Sequence, residues 1–241
     1  MSTLLEIMDK KNRVLVDYRT DNASIDELNK LGLNVYKTSP LNSLYNEVSG
    51  HPDMQIHFIN NAAFCAPENY EYYSSFKFDN LKLVRCRKSL SGKYPYDIAY
   101  NVCNVGNYVC CRASYTALEI LSTYRSLNKE IVNVNQGYAK CNICIVSKKA
   151  IITSDDSIYR ALHSKDIDIL KIKKGYIELY NMEGFIGGTS GLINEKILCF
   201  NGDLKTHPDC DNIISFAKNS GVDVISLNKG YLKDIGSIIQ F

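Results

Sequence analysis

Gln55-Ile56-His57-Phe58-Ile59 is the first of four segments written on one frame, a polar residue followed by a short apolar run. The others are Asn101-Val102-Cys103-Asn104-Val105, Asn142-Ile143-Cys144-Ile145-Val146 and Thr189-Ser190-Gly191-Leu192-Ile193, with starts 46, 41 and 47 residues apart. After each comes a tight polar turn: Asn60-Asn61, Gly106-Asn107, Ser147-Lys148-Lys149 and Asn194-Glu195-Lys196. Asn and Gly tolerate the left-handed conformations that hairpin turns need, so each segment reads as the first strand of a hairpin. Second strands are predicted at 63–66, 108–112, 150–153 and 197–200, rich in β-branched, aromatic and small apolar residues. Helices are predicted to start near Pro67, Ser114, Ser154 and His207-Pro208-Asp209, residue types suited to helix N-termini. Closing strands follow at 81–85, 131–134, 167–172 and 222–227. The unit is strand, strand, helix, strand, and it repeats.

The two ends of the chain supply a fifth unit. Arg13–Asp17 reads as a second strand and Leu33–Lys37 as a closing strand, joined by a helix that Ser24 and Glu27 would start through a capping box. Its missing first strand is supplied by Asp234-Ile235-Gly236-Ser237-Ile238-Ile239. If that strand pairs with the N-terminal one, five units close into a ring and the open sheet edges disappear. The expected architecture is therefore an α/β, five-bladed propeller closed by the C-terminal strand, a single domain over residues 1–241. A layered α/β domain with coincidentally similar strands is the competing reading.

Composition fits a folded soluble domain: 45% hydrophobic and 22% charged residues argue against disorder and against a coiled coil. A net charge of +2, with no block of Lys or Arg longer than the Arg85-Cys86-Arg87-Lys88 loop, gives no footprint for nucleic acid. No stretch reaches the ~18 apolar residues of a membrane span, and Met1–Glu6 lacks a basic segment leading into an apolar core. The expectation is a cytoplasmic protein that binds neither membrane nor nucleic acid. Nine cysteines at mostly strand positions suit small core residues in a reducing compartment. Cys141-x-x-Cys144 is the spacing that hints at metal, yet on a strand residues three apart face opposite ways. Neither a metal nor a cofactor is expected.

In a ring of blades the loops entering the first strands gather at one mouth. They carry His51 and Asp53, Asp97, Lys140, Glu183, and Lys233-Asp234. Polar loops converging over a rigid scaffold are a common site design. Within 138–144, strand geometry sets Cys144 on one face with Tyr138, Lys140 and Asn142. A neighbouring cation there would favour the nucleophilic thiolate. Cys141 falls on the other face with Ala139, Ile143 and Ile145, toward the core, unless a bulge near Gly137 reverses the register. His207-Pro208-Asp209 and Asp155-Asp156 read as helix starts, and Gly187-Gly188 as backbone passing close to the axis.

The five-fold hairpin-helix-strand organisation resembles the pentein fold of guanidino-group-modifying enzymes, which includes arginine and agmatine deiminases, dimethylargininases and amidinotransferases. Gly50-His51-Pro52-Asp53 is similar to the Gly-His-x-Asp segment that supplies their catalytic His and a substrate-binding Asp. As a whole the chain most resembles an uncharacterised bacterial family of this fold, through Gln136–Cys141, Gly184-Phe185-Ile186-Gly187-Gly188 and Asp234–Ile238. Those enzymes carry a nucleophilic Cys near the C-terminal strand. Here that stretch reads Asp234-Ile235-Gly236-Ser237, and no Cys follows Cys210. Two functions follow. One is a hydrolase of C–N bonds other than peptide bonds, acting on a guanidine, amidine or amide group: His51 moves protons, Cys144 or Cys141 attacks, and Asp53, Asp97, Lys140, Asn142, Glu183 and Asp234 hold a small cationic substrate. The other is a non-catalytic ligand-binding or protein-interaction protein on the same fold. Oligomeric state is not readable from the sequence.

Overall fold

The computed structural model describes residues 12–76 and 80–241. The N-terminal segment Met1–Glu6 lies outside them. Five three-stranded sheets share one plan, in which the middle strand pairs antiparallel with one neighbour and, across a helical crossover, parallel with the strand that follows it in the chain. They comprise β3 (Ile56–Ile59), β4 (Ala62–Cys65) and β5 (Lys82–Arg85); β6 (Cys103–Val105), β7 (Tyr108–Cys111) and β8 (Glu130–Asn133). Next come β9 (Cys144–Ser147), β10 (Ala150–Thr153) and β11 (Asp168–Lys171), then β14 (Ser190–Ile193), β15 (Ile197–Phe200) and β16 (Asp223–Ser226). The remaining sheet joins the chain ends: β1 (Arg13–Val16) lies between parallel β2 (Asn34–Lys37) and antiparallel β17 (Ile239–Gln240), with Val14 opposite Gln240 and Leu15 opposite Ile239. A small hairpin, β12 (Glu178–Leu179) and β13 (Met182–Glu183), forms a sheet of its own and is bridged through Glu178 to Lys233.

The turns work as their residues suggest. Asn60, Gly106 and Asn194 take φ of 52°, 52° and 51°, the left-handed region that Asn and Gly enter at least cost. The middle strands are mostly apolar and buried, because both faces of each sheet are covered. In β7, Val109 and Cys111 join the cluster containing Ile120, Leu121 and Tyr124 of the helix α4 (Leu118–Ser126), whereas Cys110 faces Cys103, Ile143 and Ile151. Strand alternation thus feeds two cores with one strand. The helices α3 (Tyr70–Ser74) and α7 (Cys210–Asn219) make the same crossover after β4 and β15.

Some local expectations change. The helix α1 (Asn22–Lys30) is capped by Asp21, whose carboxylate accepts from Ser24 N at 2.8 Å. Ser24 is turned inward to Asn201, and Glu27 pairs with Lys30 at the surface, so no capping box forms. α4 starts at Leu118 rather than Ser114 because residues 112–116 close turns of their own. Asp155 caps the helix α6 (Asp156–Leu162), as its sequence suggests, by accepting from Ser157 N and Ile158 N. The segments heading two first strands are single helical turns instead: α2 (Pro52–Gln55) and α5 (Ala139–Asn142). This last change alters the site. Among the described residues no helix is long and apolar enough to cross a membrane.

Candidate functional site

Asp53, on α2, is the hub of a buried polar cluster that joins residues from distant parts of the chain. Its Oδ2 accepts from Cys141 Sγ at 3.1 Å and from Ser237 Oγ at 2.8 Å, while its Oδ1 has no partner. Ser237 Oγ in turn accepts from Lys140 Nζ at 2.9 Å. His51, directly before α2, is 1% exposed, and neither ring nitrogen has a hydrogen-bond partner. Its Nδ1 lies 3.8 Å from Asp234 Oδ1. The Asp234 carboxylate accepts from Gly236 N and Phe185 N, each at 2.9 Å.

Three glycine contacts build this arrangement. A Cβ on Gly50 would sit 2.5 Å from Asp17 Oδ1, so the chain before His51 can pass the Asp17–Arg19 pair only without a side chain. At Gly236, with φ of 69°, the backbone packs on the His51 side chain and its carbonyl accepts from Asp53 N. A Cβ on Gly187 would collide with the carbonyls of Ile143 and Cys141, and Gly188 N donates to Cys141 O at 2.8 Å. Ser237 itself holds φ of 74°, unfavourable for a residue with a Cβ; its N–H bonds to Gly188 O and its hydroxyl to Asp53 keep it there.

The helical turn α5 rotates Cys141 into the cluster, contrary to the strand-face reading that sent it to the core. Asn101 secures it: Oδ1 accepts from Lys140 N and Cys141 N, and Nδ2 donates to Cys141 Sγ at 3.1 Å. Cys144 goes the other way. It packs with Val146, Ile152 and Leu198 in an apolar cluster, and burial pushes its thiol up to about 11 against the opposing effects of Ser190 and Lys140. The shared face of Cys144, Asn142, Lys140 and Tyr138 does not exist, because 139–142 is not a strand.

Of the remaining expected residues, Asn142 is buried but spends its amide on Tyr138 O. Glu183 is exposed on β13 and accepts from Gly175 N. Neither joins the cluster. Asp97 is buried nearby, with Oδ2 accepting from Tyr138 Oη at 2.6 Å and Oδ1 unpartnered. Burial raises the Asp97 carboxyl, and the Tyr138 bond only partly opposes this. Burial likewise raises Asp234, with His51 opposing, and lifts the Cys141 thiol well above its ordinary range, helped by the charges of Asp53 and Asp234. A low dielectric thus favours the neutral forms of Asp97, Asp234 and Cys141.

Asn101 and Ser237 are the residues that sequence reasoning did not assign to the site. A signal existed: the polar residue heading each repeated frame, Gln55, Asn101, Asn142 and Thr189, is buried in every case. A buried polar side chain repeated at one frame position marks where the loops are tied together. Beside the cluster, a cavity of about 240 Å³ is lined by Asp53, Lys140, Val102 and the pair His57 and Tyr124, whose Nε2 and Oη lie 2.7 Å apart. Burial, with Lys140 nearby, lowers His57 to about 3, which favours the neutral imidazole.

Repeated sheets with a polar cluster where their loops meet define an α/β fold of the pentein type. The chain is similar in structure to DDAH from Pseudomonas aeruginosa in complex with citrulline, at a TM-score of 0.58 and 10% identity, covering 90% of this chain and 91% of that one. It is also similar to SxtG, an amidinotransferase of the saxitoxin biosynthetic pathway from Microseira wollei (TM-score 0.56, 12% identity, 85% and 73% covered), and to the agmatine deiminase of C. jejuni (0.51, 11%, 94% and 83%). No curated protein sequence matches. The chain belongs to DUF6873, a family of unknown function whose model matches residues 15–239.

Proposed function

We propose that this protein is a hydrolase-like enzyme acting on a C–N bond of a small guanidine or amidine, carried by one cytoplasmic domain over residues 1–241 whose five sheets close as propeller blades through β17. The pairing of β17 with β1 and the adjacency of β14 to both β9 and β17 support the ring. Nine free cysteines fit a reducing compartment. The observation that carries the functional reading is His51, fully buried with both nitrogens unpartnered beside Asp234, in a cluster where Asp53 also keeps an unpartnered oxygen. Groups left unsatisfied at that depth are costly unless a ligand completes them.

A planar cation supplies what is missing. It would enter through the cavity that Asp53 and Lys140 line, and donate to Asp53 Oδ1, with Asp97 and Asp234 adding field. Its charge would also lower the cost of the Cys141 thiolate, which the surrounding carboxylates now oppose. Cys141 would pass its proton to His51 and form a bond from Sγ to the central carbon. The C–N bond then breaks as the amine leaves with the proton from His51. Water next adds to the carbon, giving a proton to His51, and the C–S bond breaks to release a urea-type product and restore the thiol. Ser237, tied to Asp53 and Lys140, holds Asp53 in place.

A specific observation favours a second reading, a non-catalytic binder: the Cys141 thiol already donates to Asp53, which stabilises the neutral, non-nucleophilic form. Thermal-shift screening against guanidines, amidines and amino acids, followed by ammonia and urea assays, separates the two. Stabilisation with turnover that Cys141→Ser abolishes is the expected result. Stabilisation without turnover supports the binder, and no response to any cationic compound removes both.

A further inference from the structure

Cys141, His51 and Asp234 have the make-up of a metal-binding set. One ligating atom from each, a thiol sulfur, a ring nitrogen and a carboxylate oxygen, lie within 4.8 Å of one another, and all three residues are buried. Proximity alone would prove little. The independent observation is that neither nitrogen of His51 has a partner, although the residue is 1% exposed. Asp53 Oδ1 is unpartnered as well, on a carboxylate whose other oxygen touches Cys141 Sγ.

We propose that His51, Cys141 and Asp234 bind a single zinc-type divalent transition-metal ion, with Asp53 or water completing a four-ligand set. Thiolate and imidazole donors select zinc or cobalt over magnesium or calcium. Bonds of ~2.0–2.3 Å bring ligand atoms to roughly 3–4 Å from one another, so the present cluster closes by about an ångström on loading. The Cys141 proton leaves to solvent, and the ion's two charges are balanced by the thiolate and the Asp234 carboxylate. Each Asp234 oxygen accepts one backbone N–H and keeps a lone pair free. Those N–H groups, with the Asn101 amide on Cys141 Sγ, form the outer shell that fixes ligand orientation. This inference does not rest on the amidine reading. It adds that metal and nucleophilic chemistry exclude each other, since both use Cys141 Sγ.

The test uses the full chain, stripped with a chelator and titrated with Co²⁺ without any guanidino compound. One equivalent should bind with a thiolate-to-cobalt charge-transfer absorption, and Zn²⁺ should displace it. Cys141→Ser should abolish the absorption, His51→Ala should weaken Zn²⁺ binding by more than the ~10–100-fold typical of losing an outer-shell partner, and Cys210→Ser should change neither. Far-UV circular dichroism of the metal-free variants checks folding; if Cys141→Ser is misfolded, Asp234→Asn with weakened binding and the absorption retained serves instead. Absence of the absorption in wild type, its survival in folded Cys141→Ser, or unchanged Zn²⁺ affinity in His51→Ala overturns the proposal. Metal binding without any response to guanidines would leave this site standing and sink the amidine reading; the converse would do the reverse.

Discussion

Asp97→Asn is expected to alter how stability depends on pH, in a direction set by burial. Asp97 is 0% exposed, one oxygen accepts from Tyr138 and the other has no partner, and burial raises its carboxyl above the ordinary range. The folded chain therefore holds the Asp97 proton to higher pH than the unfolded chain does. Between the unfolded aspartate value near ~3.9 and the raised folded value, the native state binds more protons, so unfolding free energy falls as pH rises. The stabilisation is complete below the lower limit and lost once pH passes the folded value. The amide that replaces the carboxyl does not titrate. Whatever constant offset that amide introduces, the variant gains on wild type across that window by about 1.4 kcal/mol for each unit of upward displacement. For a chain of this length that is roughly 3–6 °C in Tm per unit. Urea unfolding of both proteins from pH 4 to 8, at constant ionic strength, measures the difference directly. Stability curves that run parallel over that range would refute the reasoning, because they would mean Asp97 is charged in the native state as readily as in water. In the proposed function the same variant loses affinity for a cation, so greater relative stability at pH 8 accompanies weaker binding.

Two further outcomes follow from the packing. Removing residues 239–241 deletes β17 and the stacking of Phe241 on Phe58 at 4.7 Å, leaving β1 with a free edge; lower Tm and concentration-dependent association are expected, and a monomeric variant of unchanged Tm would argue against ring closure. Eight of the nine cysteines are buried and Cys210 is intermediate, so a bulky thiol reagent should label about one thiol rapidly in the native protein and none in Cys210→Ser; rapid labelling of Cys141 would show that its burial is not maintained in solution.

The repeat was legible because its signals are local. Asn60, Gly106 and Asn194 punctuate the hairpins, and short apolar runs mark the middle strands of the sheets. The N- and C-terminal segments could be joined into one unit because a lone second strand implies a missing first. That His51, Asp53, Lys140 and Asp234 would lie near one another was legible, since the loops preceding the first strands are brought together by the repeat.

The choice between Cys141 and Cys144 was not legible. Ala139–Asn142 is four residues long, too short for periodicity to distinguish a helical turn from the start of a strand. What decides it lies far away in the sequence: Asn101 Oδ1 accepting from Lys140 N and Cys141 N, and Gly187 with no side chain to push the turn away. Ser237 joins the cluster by the same kind of cause, held at positive φ by Gly188 O and Asp53. The sequence by itself determined the repeating unit and the loops that meet; only the tertiary structure decided which side chains face one another there, because a short turn takes its conformation from the long-range hydrogen bonds that close around it.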